Sequence, residues 1–157
     1  MKAEKKMWER QTVRSAIKVP PEVIRKSFPR TWYHPRWKLL TWHPRGVLNE
    51  AFADQVIAFI EMEERIQEAP FDRYVDLSGL TQIRIGIDHI IHTARRRRIV
   101  KQPVKTALFA DNPVSFGVAH SYELLMHDAM IDVRSFKDRA AAALWLERPL
   151  NALACPS

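Results

Sequence analysis

The sequence predicts an α/β domain with a mixed, largely parallel sheet of about four or five strands, covered by about four helices. Two observations lead there. Short apolar runs rich in β-branched and aromatic residues alternate with longer stretches whose apolar residues recur at helical spacing, the order expected of strands joined by helical crossovers. The chain has 157 residues, 46% of them hydrophobic and 27% charged. That is about one domain, large enough to bury a core without disulfides or metal.

The elements follow in order. Residues 28–45, FPRTWYHPRWKLLTWHPR, carry Phe28, Trp32, Tyr33, Trp37 and Trp42 and repeat the triplet His-Pro-Arg at 34–36 and 43–45. Proline lacks an N–H and biases the residue before it, so strands are expected near 29–33 and 37–43, with bends at the two triplets. Asn49 is a good N-cap for a helix whose apolar stripe is Phe52, Val56, Phe59, Ile60 and Ile66, with Glu61, Glu63, Glu64 and Glu68 mostly on the other face. Pro70 follows its end. A strand is expected at 73–77, and a helix at about 87–98 with Ile87, Ile90, Ile91 and Ala94 inward. A second buried strand spans 104–110. Asn112-Pro113 supplies an N-cap and first turn for a helix to about Met126, with Val114, Val118, Tyr122, Leu125 and Met126 on its buried face. A strand at 131–136 and a helix capped by Asp138 and stopped by Pro149 complete the domain. The expected boundaries are a basic N-terminal extension at 1–27, the α/β domain at 28–148 and a loose tail at 149–157.

Composition narrows the function classes. Cys155 is the one cysteine, so no intramolecular disulfide forms and a reducing cytoplasm fits. No apolar run approaches the roughly 20 residues of a membrane span. The N-terminal stretch has charges with no apolar segment behind them, unlike a secretory signal. The net charge of +7 is uneven: residues 1–45 hold 12 Lys or Arg against 3 Asp or Glu, and the remainder 13 against 15. Such a basic segment steers toward acidic partners, nucleic acid included, or only solubilises.

Four stretches, KLLTWHPRGVLN (38–49), YVDLS (74–78), KTALFADNPVSFG (105–117) and IDVRSFKDRAAAALWL (131–146), share an order and spacing. In these the chain resembles the STAS domain superfamily, the fold of anti-sigma-factor antagonists and of the cytoplasmic ends of sulfate transporters. It is most similar there to the uncharacterised bacterial, SpoIIAA-like antagonist branch, which is grouped with lipid-binding Sec14-type domains. The resemblance covers about 37–147. It implies a STAS-like fold and a regulatory, protein-binding role.

In the antagonists a serine before Gly-Leu, at the start of the second helix, is phosphorylated to release the partner. Ser78-Gly79-Leu80 copies that motif. A helix N-terminus suits a phosphate, and its charge repels a partner surface. The register disagrees. Ser78 to Val104 is too long for one helix and a turn, and the alternation of Ile83, Ile85 and Ile87 reads as extended chain, so the helix begins nearer Gly86. Aligned on the helix, the family's serine falls on Ile85 or Gly86. Ser78 is therefore read as a turn residue whose hydroxyl satisfies local backbone.

Other constellations have ordinary readings. His89 and His92, and His120 and His127 with Asp128, lack a further ligand in metal-binding pattern. The four glycines are isolated and form no phosphate loop, and no nucleophile elbow surrounds Ser78. Arg95 to Arg98 close a helix, where cations favour the dipole, although anionic lipid or nucleic acid is a sharper alternative.

The expected function is a non-enzymatic, cytoplasmic regulatory or protein-binding module without the family's phosphoacceptor and without cofactor or metal. Its partner surface would comprise the loop at 78–86 and the turn at 112–117, with Ser78, Arg84, Ile85, Gly86, Asn112 and Phe116 as contact residues. The partner itself is unnamed by the sequence. A homodimer is compatible, since Trp8 and the proline-rich arm need somewhere to pack. The first alternative is an apolar small-molecule or lipid carrier. The second is nucleic-acid binding through residues 1–45, with tryptophans interleaved with arginines stacking bases.

Overall fold

The computed structural model describes residues 25–156. The basic extension, save its last three residues, and Trp8 lie outside the described residues.

Eight strands and four α-helices are described. The strands are β1 (Arg25–Phe28), β2 (Thr31–His34), β3 (Leu39–Trp42), β4 (Gly46–Asn49), β5 (Asp72–Asp76), β6 (Leu80–Arg84), β7 (Val104–Phe109) and β8 (Ile131–Phe136). The helices are α1 (Glu50–Ile66), α2 (Ile87–Arg98), α3 (Pro113–Leu125) and α4 (Arg139–Leu146). Six strands form one sheet in the order β1-β2-β3-β5-β7-β8. The β3, β5, β7 and β8 neighbours are parallel, while β1-β2 and β2-β3 are antiparallel. The mixed, largely parallel α/β architecture is thus the one expected, with β1 added inside the segment taken for an extension. A separate parallel pair joins β4 to β6.

Local chemistry explains the boundaries. Pro35 ends β2, and the chain turns through Lys38, which has a φ of 46°, before β3. Asn49 and Asn112 cap α1 and α3 by accepting from the N–H groups of Phe52 and Ser115, at 2.8 and 2.9 Å. The stretch after Ser78, read as extended chain within a loop at 78–86, includes strand β6, and α2 starts at Ile87 after Gly86. Gly79 sits where a Cβ would meet the Pro44 carbonyl oxygen at 2.7 Å, so only glycine fits that close approach without movement.

Helices α1, α2 and α3 cover one sheet face, over Leu40, Trp42, Val75, Leu108, Ile131 and Val133. On the other face α4 packs Ala142, Ala143 and Leu146 against Leu39, Tyr74, Ala107 and Phe109. Part of the expected loose tail at 149–157 is packed. A 3₁₀ turn at Leu150–Leu153 buries Ala152 and Leu153 in this second core. Arg148 ties it to the sheet through the Trp37 carbonyl at 2.8 Å and the Asp72 carboxylate at 3.2 Å.

Several inward assignments change. Ile87 and Val114, expected inside, are exposed because each lies in the first turn of its helix, beyond the edge of the packed face. Glu63 and Glu64, expected outside, are buried and half-buried. The aromatics of β2 and β3 alternate across the sheet: Tyr33 and Trp42 join the first core, while Trp32 packs edge-on against His43 at 5.7 Å.

Candidate ligand site

The sheet face under α1–α3 is not filled. A cavity of about 150 Å³ lies there. Leu40, Trp42, Val75 and Leu108 form its floor, Val56, Ile60, Ile90 and Ala119 its helical walls, and Leu48, Ile83 and Ile85 a further part. The β4–β6 pair thus contributes to its wall. The reason lies in the alternation of β-strands: every second side chain of β3, β5 and β7 points to this face, and the helices above present Ala53, Thr93 and Ala119 where larger residues would close the space.

One polar group on that floor is unusual. Arg73 shares a face of β5 with Val75 and is 2% exposed. Its Nη2 donates to Glu64. Arg97, on α2 and 3% exposed, clamps the same carboxylate with two bonds of 2.9 and 2.7 Å. One carboxylate therefore serves two buried guanidiniums. Burial works to raise the Glu64 pKa, but Arg97 and Arg73 outweigh it and hold it below the usual carboxylate range. Burial pulls Arg73 down to about 10, so it stays charged at neutral pH. Its guanidinium lies over the Phe71 ring, 4.5 Å from the centroid. Tyr122, another wall residue, has its phenol pushed up to about 12 by burial and stays neutral.

Two more arginines of the run are also committed, while Arg95 is exposed. Arg96 pairs with Glu61, and Arg98 donates to the carbonyls of Leu125 and His127 at 3.2 and 2.6 Å. This explains the run structurally: it fastens α2 to α1 and to the end of α3. The proposed base-stacking platform is undone in part by burial, since Trp32 and Trp42 are 9% and 7% exposed.

A second, polar cleft of about 850 Å³ opens beyond the carboxyl ends of β3 and β5. Asp76 is its hub. It accepts from the Ser78 N–H at 2.9 Å, the Ser78 hydroxyl at 2.5 Å and Arg139 Nε at 3.2 Å. Burial tends to raise its pKa, but the two Ser78 bonds and Arg139 win and lower it. His43 stands 3.8 Å from Asp76, too far for a hydrogen bond, and burial drops its pKa to about 4 despite that carboxylate. Its imidazole is neutral at pH 7.

The expected contact residues fall into separate places. Ser78 lies in the 3₁₀ turn Leu77–Gly79, and its hydroxyl bonds the Asp76 carboxylate, not backbone, while accepting from Arg139 at 3.1 Å. Arg84 and Gly86 are exposed at the end of β6 and the start of α2. Ile85 is half-buried and lines the cavity, so it belongs to the interior wall. Asn112 caps α3. Phe116 is half-buried, stacked on His120 at 5.9 Å with Lys137 over its ring at 4.7 Å. His89 bonds Asp54 at 2.9 Å and approaches Glu50 at 3.3 Å. Among the described residues no group of three or more His, Cys, Asp or Glu is placed to hold a metal ion, and no helix is long and apolar enough to cross a membrane.

The Arg73–Glu64–Arg97 cluster was missed in the sequence, although a signal exists. Glu64 continues the α1 stripe Val56-Ile60 in steps of four, and Arg97 continues Ile90-Ala94 by three. Charges on an apolar stripe mark a buried pair.

No protein-family model matches the chain, and no curated protein does. Among solved structures it is similar to an uncharacterised protein of the DUF3478 family with a SpoIIAA-like fold from Shewanella loihica. The identity is 13% over 79% of this chain and 90% of that one, with a TM-score of 0.46. The strand order and registers of this chain define its own fold class without that likeness.

Proposed function

We propose that the protein is a binding module, not an enzyme, whose occupant is a small apolar molecule held between the sheet and α1–α3. The observation that carries this reading is the cavity of about 150 Å³ with its aliphatic walls. Protein interiors are close-packed, and voids of this size are few. An apolar cavity of about this volume stays dry and takes up a benzene-sized guest. The polar cleft offers no rival chemistry: Ser78 is spent on Asp76, and His43 sits too far from that carboxylate to be oriented by it.

Thermal unfolding in the presence of toluene tests the reading, since a ligand that binds only the folded state raises Tm. A rise in Tm is expected, and it should vanish in Ala119→Leu, which fills the space from α3. An unchanged Tm in the unaltered protein would overturn the proposal.

A second reading, a docking surface for a protein partner, is favoured by the exposed Ile87 and Val114. They lie in the first turns of α2 and α3, 57% and 69% exposed, with Arg84 and Gly86 exposed near Ile87. Single variants Arg84→Glu and Ile87→Asp should weaken partner capture from the host cytoplasm without lowering Tm. Undiminished capture by both would remove this surface.

A further inference from the structure

The lining of the cavity has a chemical bias that aliphatic walls alone do not impose. Two residues of the lining hold buried polar atoms without a partner among the described residues: Arg73, at Nε and Nη1, and Trp42, at Nε1. All three atoms are donors, and neither side chain has any acceptor to offer. The guanidinium is charged and more than nine-tenths buried. A buried donor left unpaired is costly, and such groups normally find a partner.

The charges point the same way. Glu64 offers one negative charge to both Arg73 and Arg97. Arg97 takes both of its oxygens, leaving Arg73 a single bond through Nη2. Glu61 comes within 3.6 Å of Arg97, but its bidentate bond is to Arg96, on the outer side of α2. Phe71 holds the Arg73 guanidinium plane from one side, so its direction is preset. These donors are covered by their neighbours, so an incoming acceptor reaches them by a small shift of the lining and then meets groups already stripped of water. The desolvation of Arg73 was incurred on folding, so it is not charged again on binding.

We infer that the occupant of this cavity is a small carboxylic acid in its anionic form, its apolar body against the aliphatic walls and its carboxylate on the free N–H groups of Arg73. This deepens the cavity reading above and rests on it. The ligand class is set by two numbers on the page: a cavity of about 150 Å³ limits the body to a single ring or a short branched chain, and the two unpaired nitrogens of Arg73 require an acceptor-only head group. A hydroxyl or an amide would bring donors of its own toward the Arg73 donors. An ammonium would be repelled.

Calorimetric titration of the full chain at neutral pH with benzoate, toluene and benzylamine separates the parts of the claim. Benzoate is expected to bind at least tenfold more tightly than toluene, and benzylamine not to bind. In Arg73→Met, which leaves Glu64 paired with Arg97, benzoate should lose at least tenfold in affinity while toluene keeps its own. If toluene binds as well as benzoate to the unaltered protein, the carboxylate inference falls and the cavity reading stands. If neither binds, the cavity reading fails and takes the inference with it. Should Arg73→Met not fold, the benzoate, toluene and benzylamine series on the unaltered protein decides alone. A benzoate-bound crystal structure with the carboxylate away from Arg73 would also overturn the inference.

Discussion

The two faces of the six-stranded sheet carry the same kind of device in different states. On each, a buried carboxylate is clamped by arginine at the end or edge of β5. Under α4, Asp76 is satisfied by Ser78 and by Arg139, whose side chain is half exposed. Asp76 borders the open polar cleft, while the apolar part of this face is filled by alanines close to the sheet, with Ala107 and Ala142 fully buried. Under α1–α3, Glu64 is shared by two guanidiniums that are both buried, and an unfilled volume lies beside them. The filled face has the character of a structural core. The other face keeps an apolar space beside donors that its own residues leave unpaired, and that difference is what makes it the proposed ligand site.

The comparison predicts unequal damage. Glu64→Gln strips the buried Arg73 of its paired carboxylate and leaves Arg97 only the more distant Glu61, and should cost about 3–5 kcal/mol in denaturant unfolding. Asp76→Asn keeps an acceptor for Ser78, and Arg139 can turn to water, so about 1–3 kcal/mol is expected. Equal losses would erase the distinction between the faces.

Acid should act through both. His43 is held neutral, with a folded pKa of about 4 against the ordinary 6.5. As pH falls the unfolded chain takes this proton first, so its contribution is complete above pH 6.5 and lost as pH falls through about 4. That amounts to roughly 3 kcal/mol. Glu64 and Asp76 are depressed, so theirs is present above the ordinary carboxylate range and lost below it. Unfolding free energy measured between pH 7 and 4 should fall, and His43→Gln should flatten the upper part of that limb. A pH-independent stability would contradict the burial of these groups.

Packing provides a finer contrast. Ala107→Leu, on the filled face, should destabilise by about 1–3 kcal/mol through overpacking. Ala119→Leu, over the cavity, should be near neutral or stabilising, because the added methylenes enter empty space. Ser78→Ala gives the smallest effect. It removes one hydroxyl between Asp76 and Arg139, and about 1 kcal/mol is expected from the same melts.

Much of this was legible in the amino acids. The caps Asn49, Asn112 and Asp138 and the prolines at 35, 70 and 113 placed α1, α3, α4 and the bends, because these signals are local. The alternation read correctly as extended chain at Ile83 and Ile85, while Ile87 is already the first residue of α2. What was missed depends on distant residues meeting. Strand β1 forms only because β2 offers its edge. The tail folds back through Arg148 onto Trp37, 111 positions away. Glu64 and Arg97 sit on apolar stripes, but their shared contact with Arg73 emerges only when α1 and α2 are laid side by side over β5. The cavity has no sequence signature at all, since it arises from where small residues of different helices coincide.

The most direct test of the central claim is a crystal structure under xenon pressure. Xenon enters dry apolar cavities without needing any polar contact, so it reports the space independently of Arg73. The account predicts a xenon site between Val75, Leu108, Ile60 and Ala119 and none under α4. A xenon-free interior, with α1 and α3 closed down on the sheet, would contradict it.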